Sequence, residues 1–131
     1  MVVWTDVVTA DEFLAHVRRL SSDADWPPPG RLHLSDMRKA SLDPSLDEAT
    51  IDEAATLYAR HRQKIDKMKI AIVADTAFDK AVAFERVMER HGATVIVFNF
   101  LDSARKWLNI DADEVDRALQ ELYARSRAKP E

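Results

Sequence analysis

Apolar residues follow two different spacings along the chain, and these predict a succession of strands and helices. Three short runs that are β-branched or continuously apolar, VVWTDVV, IAIVA and VIVF, are expected to be strands. The segment RLHLSDM alternates apolar and polar residues, which predicts a further short strand ending near Ser35 and Asp36. Between these runs, apolar residues recur every three or four positions, as on one face of a helix. The chain is therefore predicted to alternate strand and helix four times.

Capping patterns indicate where the predicted helices begin and end. Three pairs have the spacing of a capping box: Thr9 and Glu12, Ser45 and Glu48, and Asp111 and Glu114. Asp102 is the expected N-cap of a further short helix. Gly92 lies just past an amphipathic helix, where a left-handed cap is usual. The helix that begins at Ser45 is predicted to run to about Asp66.

The alternation of strand and helix predicts an α/β fold with a four-stranded sheet, mixed or mostly parallel, and helices packed on it. A last amphipathic helix follows this pattern. We expect residues 1–110 to form the α/β domain, and residues 111–131 to form a helical extension that packs on the domain or on a dimer partner. The apolar stripe of that helix must be buried, and it is the predicted dimer face: Val115, Leu119, Leu122 and Tyr123.

Composition and charge limit which cellular compartment and which kinds of partner are expected. A chain of 131 residues, 47% of them hydrophobic, is long enough to bury one core. Cysteine is absent from the sequence, so disulfides and thiolate metal sites are excluded and a cytoplasmic location is expected. The formal charge is −4 and the basic residues are scattered, which argues against nucleic-acid binding. Since no apolar run approaches the roughly 20 residues of a membrane span, membrane insertion is not expected.

Residue patterns typical of catalysis or cofactor binding do not occur in the sequence. Gly30 and Gly92 are its two glycines, too few for a phosphate-binding loop. The histidines lie in separate segments without the spacing of zinc ligands: His16, His33, His61 and His91. The acidic cluster of Asp111, Asp113 and Glu114 is better explained as a helix start than as a cation site. The sequence therefore predicts a protein without an enzyme activity, a metal or a cofactor.

Polar residues follow several of the predicted strands. In open α/β sheets, ligands tend to bind beyond the carboxyl ends of the strands, where helix N-termini converge. The predicted rim for a ligand or partner therefore consists of Ser35, Asp36, Asp75, Thr76, Asn99 and Phe100. Ordinary turn and cap roles explain the same residues.

Two segments resemble the small bacterial SpoIIAA-like proteins, which are related to the STAS domains of sulfate transporters and anti-sigma factor antagonists. These are KIAIVAD, which precedes an aromatic-bearing helix, and VIVFNFLDSARKWLN near the end. The resemblance covers roughly the first 110 residues. It implies a STAS-like sheet and a regulatory role through protein contacts.

Signalling members of that group carry a phosphorylatable serine in an Asp-Ser-Ser-Gly-Leu type sequence at the start of the second long helix. This chain reads DPSLDEATIDEA there, with Ser45 and Thr50 as the available hydroxyls. The neighbouring carboxylates would repel an added phosphate, whereas a helix N-terminus would favour it. Whether Ser45 or Thr50 is phosphorylated stays open.

Two functions fit these patterns. The first is a non-enzymatic binding or regulatory module that acts through protein contacts and forms a homodimer. The alternative is a domain that binds a small apolar molecule or lipid in a pocket between sheet and helices, lined by Phe78, Phe84, Phe98 and Trp107. Core packing explains these aromatic residues as well. Trp4 and Trp26 are further candidates for such a pocket, Trp26 because it leads into a stiff proline loop at 27–30.

Overall fold

The computed structural model describes residues 1–20, 32–60 and 69–128, in which strand and helix alternate. The strands are β1 (Val2–Val8), β2 (Leu32–Leu42), β3 (Lys69–Ala74) and β4 (Thr94–Phe98). The helices are α1 (Ala10–Leu20), α2 (Glu48–Ala59), α3 (Phe78–Arg90), α4 (Leu101–Leu108) and α5 (Ala112–Ala128). Trp26, the proline loop at 27–30 and the predicted continuation of the second helix to Asp66 lie outside the described residues.

The four strands form a parallel sheet in the order β1-β2-β3-β4. The predicted α/β class is thus confirmed, and the described strands pair in parallel only rather than in a mixed sheet. Strands in sequential order, joined by crossovers of one hand, place their connecting helices on one face of the sheet. Accordingly α1, α2 and α3 cover one face, while α4 and α5 cover the other.

The central strand β3 shows how the two faces share the core. Ile70 and Ile72 pack against α1, α2 and α3, whereas Ala71 and Val73 pack against α4 and α5. All of these residues are buried. The unbroken apolar run predicted a strand covered on both faces, and the structure confirms it.

Strand β2 is longer than predicted. The expected end near Ser35 and Asp36 is wrong, because β2 continues to pair with β1 as far as Leu42. The register shifts where Val3 pairs with Asp36 but Thr5 pairs with Lys39, so β2 contains one extra residue opposite Trp4. Charged residues in this second half of β2 interrupt the apolar alternation on which the predicted strand end was based.

Two helix starts and one helix end follow the predicted capping patterns. The Glu12 N–H donates to Thr9 Oγ1 at 3.2 Å at the start of α1. At the start of α5, the Glu114 N–H donates to Asp111 Oδ2 at 3.3 Å. Gly92 follows α3 with φ of +86°, the left-handed conformation expected of a glycine cap.

Two predicted caps are wrong. Asp47 rather than Ser45 caps α2, because its carboxylate accepts the Thr50 N–H at 3.0 Å. Ser45 lies in the preceding turn, where its hydroxyl accepts the Ala10 N–H at 3.2 Å. Asp102 lies inside the first turn of α4 rather than at its N-cap, and its carboxylate forms ion pairs within that helix.

The last helix, α5, packs on the sheet of its own chain. Val115 and Leu119 are 0% and 4% exposed and form one cluster with Leu34 and Val73 of the sheet. The need to bury this stripe motivated the predicted dimer face, and contacts within the chain satisfy it for these two residues. Leu122 and Tyr123 of the predicted face are half-buried.

Candidate ligand pocket

A pocket lies between the sheet and the helices α1, α2 and α3. Its cavity volume is about 60 Å³, and the whole space between its walls, open solvent included, is about 640 Å³. Apolar side chains from each of the three helices and from β3 line most of it, among them Phe13, Ile51, Ile72 and Phe84. The pocket therefore extends into the larger of the two cores.

Strand geometry explains which residues of β2 reach this pocket. Alternation places His33, Ser35 and Met37 on the face towards α1, α2 and α3. Without the extra residue in β2, the same alternation would bring Ser41 to this face. The extra residue instead turns Leu42 towards the pocket.

Trp4 and His16 form a polar section of the pocket wall together with Ser35. The Trp4 Nε1–H donates to Ser35 Oγ at 3.0 Å. The Trp4 and His16 rings meet edge to face with centroids 4.8 Å apart. Arg19 Nη2 lies 3.1 Å from His16 Nδ1, and because a guanidinium only donates, Nδ1 is the acceptor. The neutral His16 ring therefore carries its proton on Nε2.

Both histidines of the pocket are uncharged at neutral pH. Burial, followed by the charge of Arg19, lowers the pKa of His16 to about 4. Burial also lowers the pKa of His33 to about 4, with smaller effects from the N-terminal amino group and from His16. The pocket thus offers imidazole donors and acceptors without positive charge.

Lys80 is the charged side chain among the described residues that line this pocket. It belongs to the first turn of α3 and is half-buried. Its Nζ donates to the backbone oxygen of Asp43 at 3.2 Å, which ties α3 to the segment that follows β2.

The predicted rim residues lie in different places. Ser35 and Asp36 are in the middle of β2 rather than beyond its carboxyl end, because the strand is longer than expected. Their side chains point to opposite faces of the sheet, Ser35 into the pocket and Asp36 towards α5. The prediction that these two residues lie beyond the carboxyl end of the strand was therefore wrong.

The other four rim residues do follow strand ends. Asp75 and Thr76 come directly after β3 and are exposed, and the Thr76 hydroxyl donates to the Ala40 backbone oxygen at 3.1 Å. Asn99 and Phe100 follow β4, and Phe100 is 72% exposed. None of these four lines the pocket.

Asp36, a predicted rim residue, is hydrogen-bonded to Tyr123, a residue of the predicted dimer face. Its side chain is 0% exposed, and its two oxygens accept from Arg38 Nε and Nη2 at 2.9 and 2.8 Å. The Tyr123 hydroxyl donates to Asp36 Oδ2 at 2.8 Å. Burial raises the pKa of Asp36, but the hydrogen bonds from Arg38 and Tyr123 outweigh it and hold that pKa below its ordinary value. The arrangement keeps a buried carboxylate ionised and connects β2 to α5.

The aromatic residues predicted to line a pocket separate onto two faces. Phe84 lines the pocket, and Phe78 packs on the same core without lining it. Phe98 and Trp107 contact each other on the opposite face, with ring centroids 5.8 Å apart. The expected lining was therefore wrong for Phe78, Phe98 and Trp107.

Sequence reasoning did not assign Lys80, His16 or His33 to a site. The period of two along β2 that links His33 with Ser35 could have indicated a shared face. No local signal relates these residues to Lys80, which reaches the pocket from another element.

Within the ranges that the structure describes, no three His, Asp or Glu side chains are grouped as metal ligands. Over the same ranges, no helix combines the length and the apolar character needed to cross a membrane.

Comparison of the chain with family models, with curated proteins and with solved structures finds no match. The resemblance to SpoIIAA-like proteins accordingly stays a prediction, and function has to be inferred from the residues of the pocket.

Proposed function

We propose that the protein binds a small, mainly apolar molecule in the pocket between the sheet and α1, α2 and α3. The observation that carries this proposal is a mainly apolar pocket that extends into the main core and contains a few oriented polar groups. Protein cores are close-packed, so a ligand that enters this pocket would contact the apolar side chains of the core directly. Apolar walls with few polar groups are typical of small-molecule sites.

The pocket walls suit binding rather than a covalent reaction. Apolar surface of the ligand would gain about 25 cal/mol for each Å² removed from water. Ser35, His16 and His33 supply neutral hydrogen-bonding groups that can orient the ligand. The Ser35 hydroxyl accepts from the Trp4 indole rather than being paired with a base among the described residues, so we propose no nucleophilic role for it.

The size of the pocket limits the ligand. A cavity of about 150 Å³ holds a benzene ring in an engineered protein. The cavity volume here is about 60 Å³, so a larger ligand has to extend into the open part of the pocket. Native mass spectrometry of the purified protein should show an added mass that disappears on denaturation.

A neutral probe tests the pocket directly. We expect 1-hexanol to shift the Trp4 indole N–H signal in a ¹⁵N NMR spectrum, because that group lies in the pocket wall. The three indole signals are assigned with Trp4→Phe. Ala81→Leu adds a larger side chain at a buried lining position and should abolish the shift.

The matched control is Ala124→Leu on the exposed side of α5, which should leave the 1-hexanol response unchanged. A Trp4 signal that does not respond to 1-hexanol, or a response that survives in Ala81→Leu, would contradict the proposal.

Phe100 favours a second candidate function, association through a protein surface. This aromatic side chain is 72% exposed at the start of α4. Leu101 next to it lines a groove with Arg38, Lys39 and Tyr123. Aromatic and arginine side chains are enriched where proteins associate.

A homodimer through this surface predicts a dimer mass in light scattering at about 50 μM protein. Phe100→Ser should then give a monomer with unchanged stability, because the exposed ring contributes little to the core. A wild-type monomer at that concentration would exclude the homodimer.

A further inference from the structure

We propose that the ligand of this pocket carries a single carboxylate, which binds the ammonium group of Lys80. This inference rests on the proposed function, since it assigns a chemical class to the occupant of the same pocket.

The position of Lys80 makes it part of the pocket rather than of the solvent-exposed surface. It precedes Ala81 in α3, and Phe84 lies one turn further along the same helix face. All three side chains line the pocket, and that of Lys80 is half-buried. Its hydrocarbon stem extends the apolar wall while its Nζ remains near the segment after β2.

The hydrogen bonds of Lys80 leave room for an acceptor. An ammonium group has three N–H donors. Within the described parts of the chain, the backbone oxygen of Asp43 is the acceptor that Nζ contacts, at 3.2 Å. A ligand that displaces water from the half-buried Nζ would leave donors unpaired unless it supplied an acceptor of its own.

Charge favours an anionic acceptor. Lys80 is the lining side chain that is charged at neutral pH, because His16 and His33 are uncharged there. A charge-assisted hydrogen bond to a carboxylate is shorter and stronger than one between neutral groups.

Asp43 sets a limit on the charge of the ligand. Hydrogen bonds from Ser45 and then the charge of Lys80 lower the pKa of the Asp43 carboxyl, so a negative charge is already present near Lys80. That carboxylate is oriented by the Ser45 N–H at 2.9 Å and does not line the pocket. A ligand with one carboxylate would share Lys80 with Asp43, whereas a second carboxylate would meet repulsion from Asp43 without another cation among the described lining residues to offset it.

The experiment compares two probes of equal chain length, hexanoate and 1-hexanol, at pH 7 and low salt. Both have six carbons, although the alkyl chain of hexanoate is one methylene shorter, and only hexanoate carries a charge at this pH. We expect the Trp4 indole signal to report about tenfold tighter binding of hexanoate than of 1-hexanol. Added salt should reduce this difference.

Substitutions of Lys80 locate the effect. Lys80→Gln keeps a donor for the Asp43 oxygen but removes the charge, so hexanoate and 1-hexanol should bind alike. Lys80→Arg keeps the charge and should restore most of the preference. Lys106→Gln on α4 is the matched control, because Lys106 lies in a helix on the other face of the sheet and is 65% exposed.

The outcomes separate the two proposals. Equal binding of both probes to the wild-type protein, or a preference for hexanoate that persists in Lys80→Gln, overturns the assignment of a carboxylate and leaves the pocket function standing. If neither probe shifts the Trp4 signal, the proposed function itself fails.

Discussion

At the scale of single residues, the two neutral histidines have the clearest effect on how the stability of the protein depends on pH. His16 and His33 line one pocket, and burial is the main reason that both have a pKa of about 4 instead of 6.5. In the unfolded chain both rings return to their ordinary pKa and take up protons at a higher pH. The pocket is therefore a source of pH-dependent stability.

We expect the free energy of unfolding to fall as the pH is lowered from 7 towards 4. Between pH 6.5 and 4 the unfolded state binds more protons at His16 and His33 than the folded state does, so stability rises with pH in that window. Each ring contributes up to about 3 kcal/mol over the whole window. Urea titrations at several pH values measure this slope.

His33→Gln should make the slope shallower, because glutamine does not titrate. Asp36 affects stability in a separate pH range, below the ordinary carboxyl pKa of 3.8. The pKa of Asp36 is lower than this in the folded protein, so the stabilisation by its carboxylate is lost only as the pH falls through the folded-state pKa. A slope between pH 6.5 and 4 that is the same in wild type and His33→Gln would contradict the histidine explanation.

At the scale of elements, a buried carboxylate connects a strand to the last helix. Asp36 of β2 accepts hydrogen bonds from Arg38 of the same strand and from Tyr123 of α5. The extra residue in β2 also brings Lys39 to this face, where its Nζ lies 4.2 Å from the centre of the Tyr123 ring. Tyr123 thus holds α5 against β2 through its hydroxyl and its ring.

Tyr123→Phe should lower the free energy of unfolding by about 1 to 3 kcal/mol, because it removes a hydrogen bond to a buried charged group while keeping the ring under Lys39. The shift of the urea midpoint at pH 7 measures this loss. Tyr123→Leu is the reference variant. It removes the ring as well as the hydroxyl, so its free energy of unfolding should fall further. A Tyr123→Phe protein as stable as wild type would show that the hydroxyl does not hold α5.

At the scale of the whole molecule, the two faces of the sheet have different roles. One face, covered by α1, α2 and α3, contains the pocket. The other is closed by α4 and α5 around Leu34, Val73 and Leu119. Burial of Leu119 within the chain means that α5 contributes to the stability of the monomer.

Leu119→Ala should therefore destabilise the protein by about 2 to 5 kcal/mol, as expected for a truncated core leucine. The loss should be independent of protein concentration, since mass action affects only stability that depends on association. Urea denaturation at two concentrations that differ tenfold distinguishes these cases. Leu122→Ala is the control at a half-buried position and should lose less. A loss that grows on dilution would instead place Leu119 in an interface between chains.

The sequence by itself determined the α/β class, the four strands and the starts of two helices, because these depend on patterns between residues close in the chain. Apolar runs located β3 and β4, and Asp111 located the start of α5. Charged residues in the second half of β2 concealed its length, because the pairing that extends it involves β1, whose residues are distant in sequence.

Only the tertiary structure decided which residues share a site. Asp36 and Tyr123 are 87 positions apart, yet their oxygens lie 2.8 Å from each other. The pocket likewise combines Trp4, Ser35 and Lys80 from three elements, and a single extra residue in β2 turns Leu42 towards it. Strand register and helix placement set these contacts, and both arise from pairing and packing across the whole chain rather than from local periodicity.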